Sequence, residues 1–138
     1  MRQTAAYNCG SAALMYLLER YGLRFKMDYM DQLVGANPKT GTTRQDLVRV
    51  VLGQGLKYHE MSGTTLTELS CFLPAIVNYT YVDRDGHYGV VETFWDGALT
   101  IWDPWTGGYM DYPQNDFEKV WHGTAMKDHW FLYIFRSQ

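Results

Sequence analysis

Gln3-Thr4-Ala5-Ala6-Tyr7-Asn8-Cys9-Gly10-Ser11-Ala12-Ala13-Leu14 stands at the start of the chain and combines an amide, a cap, a thiol and the beginning of an apolar helix. Asn8 is a good N-cap residue for a helix from Cys9 to about Tyr21. Its middle, Ala12 to Leu18, is apolar nearly all round, which predicts a central and buried helix. Gly22 is the expected stop. A thiol on the first turn gains from the positive end of the helix dipole and from backbone N–H groups that lack intrahelical partners; both favour its anion. The amide of Gln3, six residues upstream, is placed to donate a hydrogen bond to an oxyanion formed there. Cys9 is therefore a candidate nucleophile and Gln3 a candidate oxyanion donor.

Outward from this helix the chain reads as helices first and strands afterwards, an α+β order. A short helix is expected from Asp28 to Val34, stopping before Gly35. Thr42 or Thr43 caps a third, in which Leu47, Val48, Val51 and Leu52 recur at helical spacing before Gly53 and Gly55 close it. Thr65 with Glu68 forms a capping-box pattern for a short helix through Phe72. After Pro74 the texture turns β-branched and aromatic. Strands are expected over Ala75–Val82, His87–Phe94, Ala98–Trp102, near Tyr109–Tyr112, and over Trp130–Phe135. Asp83–Gly86 and Asp96-Gly97 supply turns, and Asn115–Val120 a helical turn.

Composition narrows the classes. One domain over residues 1–138 is the natural reading, with 46% hydrophobic and 20% charged residues, values typical of a globular chain. A net charge of −3 with interspersed signs gives no basic surface for nucleic acid and no patch for anionic lipid. No apolar run reaches the roughly 18–20 residues a membrane span requires, so this chain is not expected to insert. Cys9 and Cys71 are too few for a disulfide scaffold, and no signal-peptide pattern is present; a reducing, cytoplasmic setting is expected.

Two further signals lie in the strand half, Gly86-His87-Tyr88-Gly89-Val90-Val91 and Trp102-Asp103-Pro104. A histidine opening one strand and an aspartate closing the next antiparallel strand meet at one edge of the sheet. With the Cys9 helix against that edge, Cys9, His87 and Asp103 have the types needed for a nucleophile, a general base and its orienting carboxylate. Gln-x5-Cys-Gly-Ser-Ala, Gly-His-Tyr-Gly-Val-Val and Ile-Trp-Asp-Pro-Trp-Thr-Gly-Gly resemble the C39 peptidases, papain-like cysteine proteases that remove double-glycine leader peptides within bacteriocin exporters. Gly41-Thr42-Thr43, Gly55-Leu56, Leu73-Pro74-Ala75-Ile76-Val77 and Phe117-Glu118-Lys119-Val120-Trp121-His122-Gly123 follow the family in order, so the likeness covers nearly the whole chain.

The resemblance implies a papain-like fold, with a helical half packed on an antiparallel sheet. It implies Cys9 as nucleophile, His87 as base, Asp103 as orienter, and Gln3 with the Cys9 N–H as oxyanion hole, acting without cofactor. It also implies a peptide substrate cut after a double-glycine leader, and an ABC exporter as partner. Gly89 departs from the bulkier residue common in that strand, and space beside His87 is the expected consequence.

Each residue also has a plainer reading. A lone cysteine in an apolar helix is usually a small buried hydrophobe, and Cys71 is expected to be structural in that sense. His59, His122 and His129 have no partner in pattern and read as surface or satisfied core. Asp83-x-Asp85-Gly86 lacks the later ligands of a calcium loop and reads as a turn. No metal is expected on Cys9, His87 and Asp103, which lack paired-ligand spacing. Trp95 and Trp102 are expected to pack across strands, whereas Trp105 and Tyr109 are candidate walls of a substrate cleft. Two rival functions are a cysteine amidase acting on cell-wall peptide and a non-catalytic module that binds a leader peptide.

Overall fold

The computed structural model describes residues 2, 4–81, 84–122 and 128–137, with backbone alone for 81, 84 and 85. Helix α1, Cys9–Leu18, runs into a 3-10 turn at Glu19–Tyr21 and ends at Gly22, whose φ of 75° is the left-handed stop the sequence signals. α2 is Met27–Val34 and α3 is Arg44–Gly53. Thr43 rather than Thr42 caps α3, in a full capping box with Asp46. α4 is only Leu66–Leu69, one turn shorter than its pattern suggests, because Ser70–Phe72 close in turns. α5 is Gln114–Val120.

The strands β1 Lys57–Met61, β2 Ala75–Tyr81, β3 Arg84–Trp95, β4 Ala98–Asp103, β5 Gly108–Pro113 and β6 Phe131–Phe135 form a six-stranded sheet in the order β1-β6-β2-β3-β4-β5. All its described pairings are antiparallel. Two features differ from the sequence-based expectation. β1 is a short edge strand whose residues are exposed or half-buried, so no apolar alternation announces it. β3 begins at Arg84, so Arg84–Gly86 belong to the strand and His87 is its fourth residue rather than its first; Val82 and Asp83 lie outside the described residues.

Alternation along β2–β4 divides the core. Ile76, Tyr88, Val90 and Trp102 face α1, α2 and α3 with Leu14, Leu18, Met30, Leu47 and Val51. Ala75, Val77, Tyr79, Val91 and Ile101 face the other way, covered by Phe117 and Trp121 of the α5 region and by Leu66 and Leu69 of α4. The sheet is therefore buried on both faces over its central strands. That fixes the register of β3 and β4 and hence which side chains meet at their shared end.

Candidate active site

Asn8 occupies the N-cap position of α1 but makes no capping bond. Its Oδ1 accepts from the backbone N–H groups of Thr4 and Ala5, and its Nδ2 donates to Thr4 Oγ1 and Asp31 Oδ2. The expected cap is thus a loop lock. It organises residues 4–8 and leaves the first turn of α1 without a side-chain cap, which is the electrostatic setting an anionic sulfur or oxyanion needs. Gln3 lies outside the described residues.

Gly10 explains how closely the tip of α1 approaches the sheet. A Cβ built there would sit 3.0 Å from Thr42 Cβ and 3.2 Å from Tyr88 Cδ2. Tyr88 is pinned by its own hydroxyl, which donates to the Thr42 carbonyl at 2.7 Å. Burial, and after it the charge of the Cys9 sulfur, push the Tyr88 phenol well above its ordinary range. Cys9, half-buried and free of any disulfide, is held beside β3.

His87 and Asp103 meet as their strands predict. The pair Val90↔Trp102 places Gly89 across from Asp103 at the next step, so His87 is the diagonal neighbour on the same face. His87 Nε2 is 2.9 Å from Asp103 Oδ1, and both side chains are buried. The same oxygen accepts the Trp105 N–H at 3.0 Å, while Gly107 N–H bonds the Asp103 carbonyl. The loop after β4 is therefore folded around this carboxylate. Burial alone would lower the His87 pKa, but hydrogen bonds to Asp103 and to Cys9, with their negative charges, lift it to about 9. An imidazole hydrogen-bonded to a carboxylate and influenced by a nearby sulfur is kept charged near neutrality.

The space expected beside His87 at Gly89 is filled. A Cβ on Gly89 would lie 2.7 Å from Tyr79 Cε1, and the Tyr79 ring meets the imidazole edge-on at 5.3 Å between centroids. The signal for Tyr79 in the sequence is a glycine two residues after a histidine inside an apolar strand. Trp105 and Tyr109 are 38% and 63% exposed, and Tyr109 Oη lies 2.8 Å from Tyr16 Oη in a network with Glu92 and Arg20. The expected cross-strand placement holds for Trp102, which stands opposite Val90 and Tyr109 of the neighbouring strands, and not for Trp95. Trp95 is 81% exposed at a hairpin end, and Trp102 stacks on Tyr16 of α1 at 4.3 Å.

Cys71 is exposed rather than buried, with its thiol toward the Thr67 carbonyl. The remaining histidines have partners of their own: His59 lies against the rings of Phe72 and Phe131, His122 bonds Thr80, and His129 stacks on Trp121 with Nδ1 at the Thr64 carbonyl. Among the described residues no helix is long and apolar enough to cross a membrane.

A helix that opens with a cysteine, packed on an antiparallel sheet that carries a histidine–carboxylate pair, is the arrangement of the α+β, papain-like class of cysteine peptidases. Residues 1–127 match the Peptidase C39 family, and the chain belongs to that family. An uncharacterised protein of Methanothermobacter marburgensis is 25% identical over 126 residues, spanning 91% of this chain and 84% of its own.

Solved structures share the fold. The peptidase domain of Streptococcus ComA, a bifunctional ABC transporter of a quorum-sensing pathway, superposes with a TM-score of 0.84 at 22% identity, over 99% of this chain and 97% of its own. A double glycine motif protease from an AMS/PCAT transporter, in complex with the leader peptide, gives 0.82 at 19% identity, over 99% and 90%. A peptidase C39-like domain of a toxin secretion ATP-binding protein from Vibrio parahaemolyticus gives 0.68 at 19% identity, over 96% and 100%.

Proposed function

We propose that this chain is an endopeptidase that hydrolyses the bond after a double-glycine leader, through Cys9, His87 and Asp103 with Gln3 as oxyanion donor. The observation that carries this reading is the His87 imidazole, hydrogen-bonded to Asp103 through Nε2 and raised in pKa by Asp103 and by the neighbouring Cys9 sulfur. The sulfur attacks the scissile carbonyl carbon, and the oxygen takes the charge at the uncapped tip of α1. His87 gives its proton to the leaving amine, whose departure leaves a thioester on Cys9. The neutral imidazole then takes a proton from water, the hydroxide displaces the thiolate, and the acid product leaves. Asp103 stays ionised and fixes the ring orientation.

Trp105 and Tyr109 are the proposed wall for the apolar part of the peptide, since both are exposed on the segment that wraps Asp103. One structural neighbour is a double glycine motif protease in complex with the leader peptide and another is the peptidase domain of an ABC transporter, which supports a leader peptide as substrate and an ABC exporter as partner. Residues 1–138 act in this proposal as one peptidase domain.

The test is incubation of the reduced protein with a synthetic leader peptide ending in Gly-Gly and extended by a cargo segment, read by mass spectrometry. One cut after the second glycine is expected, abolished in Cys9→Ala. Gln3→Ala is expected to lose about 2.7–4 kcal/mol of transition-state stabilisation, the usual effect of one missing oxyanion donor. Cleavage by Cys9→Ala would refute the assignment.

A further inference from the structure

Between His87 and α5 stands a buried column of rings. Tyr79 meets the His87 imidazole edge-on at 5.3 Å and 79°. Behind it lie Phe117 at 6.3 Å and Tyr112 at 6.1 Å, and Phe117 in turn contacts Trp121 at 5.4 Å. Tyr79, Phe117 and Trp121 have no solvent exposure. The ring of Tyr79 can lie there only because residue 89 has no side chain: a Cβ would fall 2.7 Å from Tyr79 Cε1, 3.2 Å from its hydroxyl oxygen and 3.2 Å from Ile101 Cγ2. Two of these three atoms belong to one rigid ring that is packed from behind, so the clash cannot be relieved by a flexible tip.

Resting on the reading of His87 as the acid–base of the reaction, we propose that Tyr79 is a positioning residue. Its ring, seated over Gly89 and backed by Phe117 and Tyr112, holds the imidazole against Asp103 and keeps water from their hydrogen bond. Among the described residues, the charged or titratable groups that face the imidazole include Cys9 from α1, Asp103 from β4 and Tyr79 from β2. A buried hydrogen bond sealed from water is stronger and better aligned than an open one. A ring free to turn about χ1 or χ2 would break contact with the sulfur or the carboxylate.

The test uses residues 1–138 and two readouts, peptide cleavage and the pH titration of the His87 ring followed by NMR without substrate. Gly89→Ala drives the ring off its seat, and Tyr79→Leu removes its edge. Each is expected to lower kcat by about 100-fold, the scale of a misplacement near 1 Å, with KM little changed. The ring titration is expected to fall from about 9 toward the ordinary 6.5. Tyr79→Phe, which keeps the ring, recovers most of what Tyr79→Leu loses.

Should Gly89→Ala fail to fold, Tyr79→Leu, which only removes atoms, decides the matter. A folded Tyr79→Leu protein with normal kcat and an unmoved titration overturns the proposal. If the wild type cleaves no peptide but the titration still moves, the peptidase reading fails and the positioning role stands.

Discussion

In the proposed reaction His87 carries the chemistry because two neighbours, Asp103 and Cys9, act on one ring. Asp103 and Cys9 favour its charged form more than burial opposes it, and the result is a proton held to about pH 9. In the proposed reaction this is the proton given to the leaving amine. As pH rises through that value the acid is lost, so kcat/KM is expected to decline on an alkaline limb near pH 9. Asp103→Asn removes a carboxylate that lifts the ring and should move the limb to lower pH. A pH–rate profile that stays level through 9 in the wild type would take His87 out of the role.

At the level of elements, the tip of α1 is held against β3 by the absence of a side chain at Gly10. Alanine is favoured over glycine inside a helix by roughly 1 kcal/mol, so propensity alone says that Gly10→Ala should stabilise. Packing opposes it, because the new methyl would stand 3.0 Å from Thr42 Cβ and 3.2 Å from Tyr88 Cδ2. Tyr88 is tied to the Thr42 carbonyl and cannot swing aside without losing a buried hydrogen bond. We expect packing to win. Gly10→Ala should melt no higher than the wild type and turn over at least about tenfold more slowly, since the sulfur is displaced from the imidazole. A raised melting temperature with unchanged kcat would show that the tip of α1 is free to shift.

For the whole molecule, the same histidine links the proposed function to folding. Its folded-state pKa stands above 6.5, so the folded form binds the proton more tightly than the unfolded chain does. The stabilisation is complete below pH 6.5 and is lost as pH climbs through about 9. Melting temperatures of the wild type and His87→Gln, compared on either side of that window, should differ most on the acid side and converge on the alkaline side. A gap that widens with pH would mean that the ring is neutral in the native state. Across the molecule a second tie joins α1 to the sheet, where Tyr16 stacks on Trp102 and its hydroxyl joins Glu92, Arg20 and Tyr109.

Much of this was written locally. The apolar run after Cys9, the stop at Gly22, the Thr65 cap, the Asp96-Gly97 hairpin and the β-rich second half depend on neighbours a few residues apart, and local rules read them correctly. Pairing His87 with Asp103 was also legible, because a hairpin returns the chain at a countable register. The edge strand Lys57–Met61 was not, since its partner β6 lies some 70 residues away and its exposed residues need no apolar pattern. Nor could the sequence tell that Asn8 would turn from cap to loop lock through Asp31, or that the gap at Gly89 would be taken by Tyr79 from the neighbouring strand. Those are decided only when distant segments compete for the same space and the same hydrogen bonds, and that competition exists nowhere but in the folded chain.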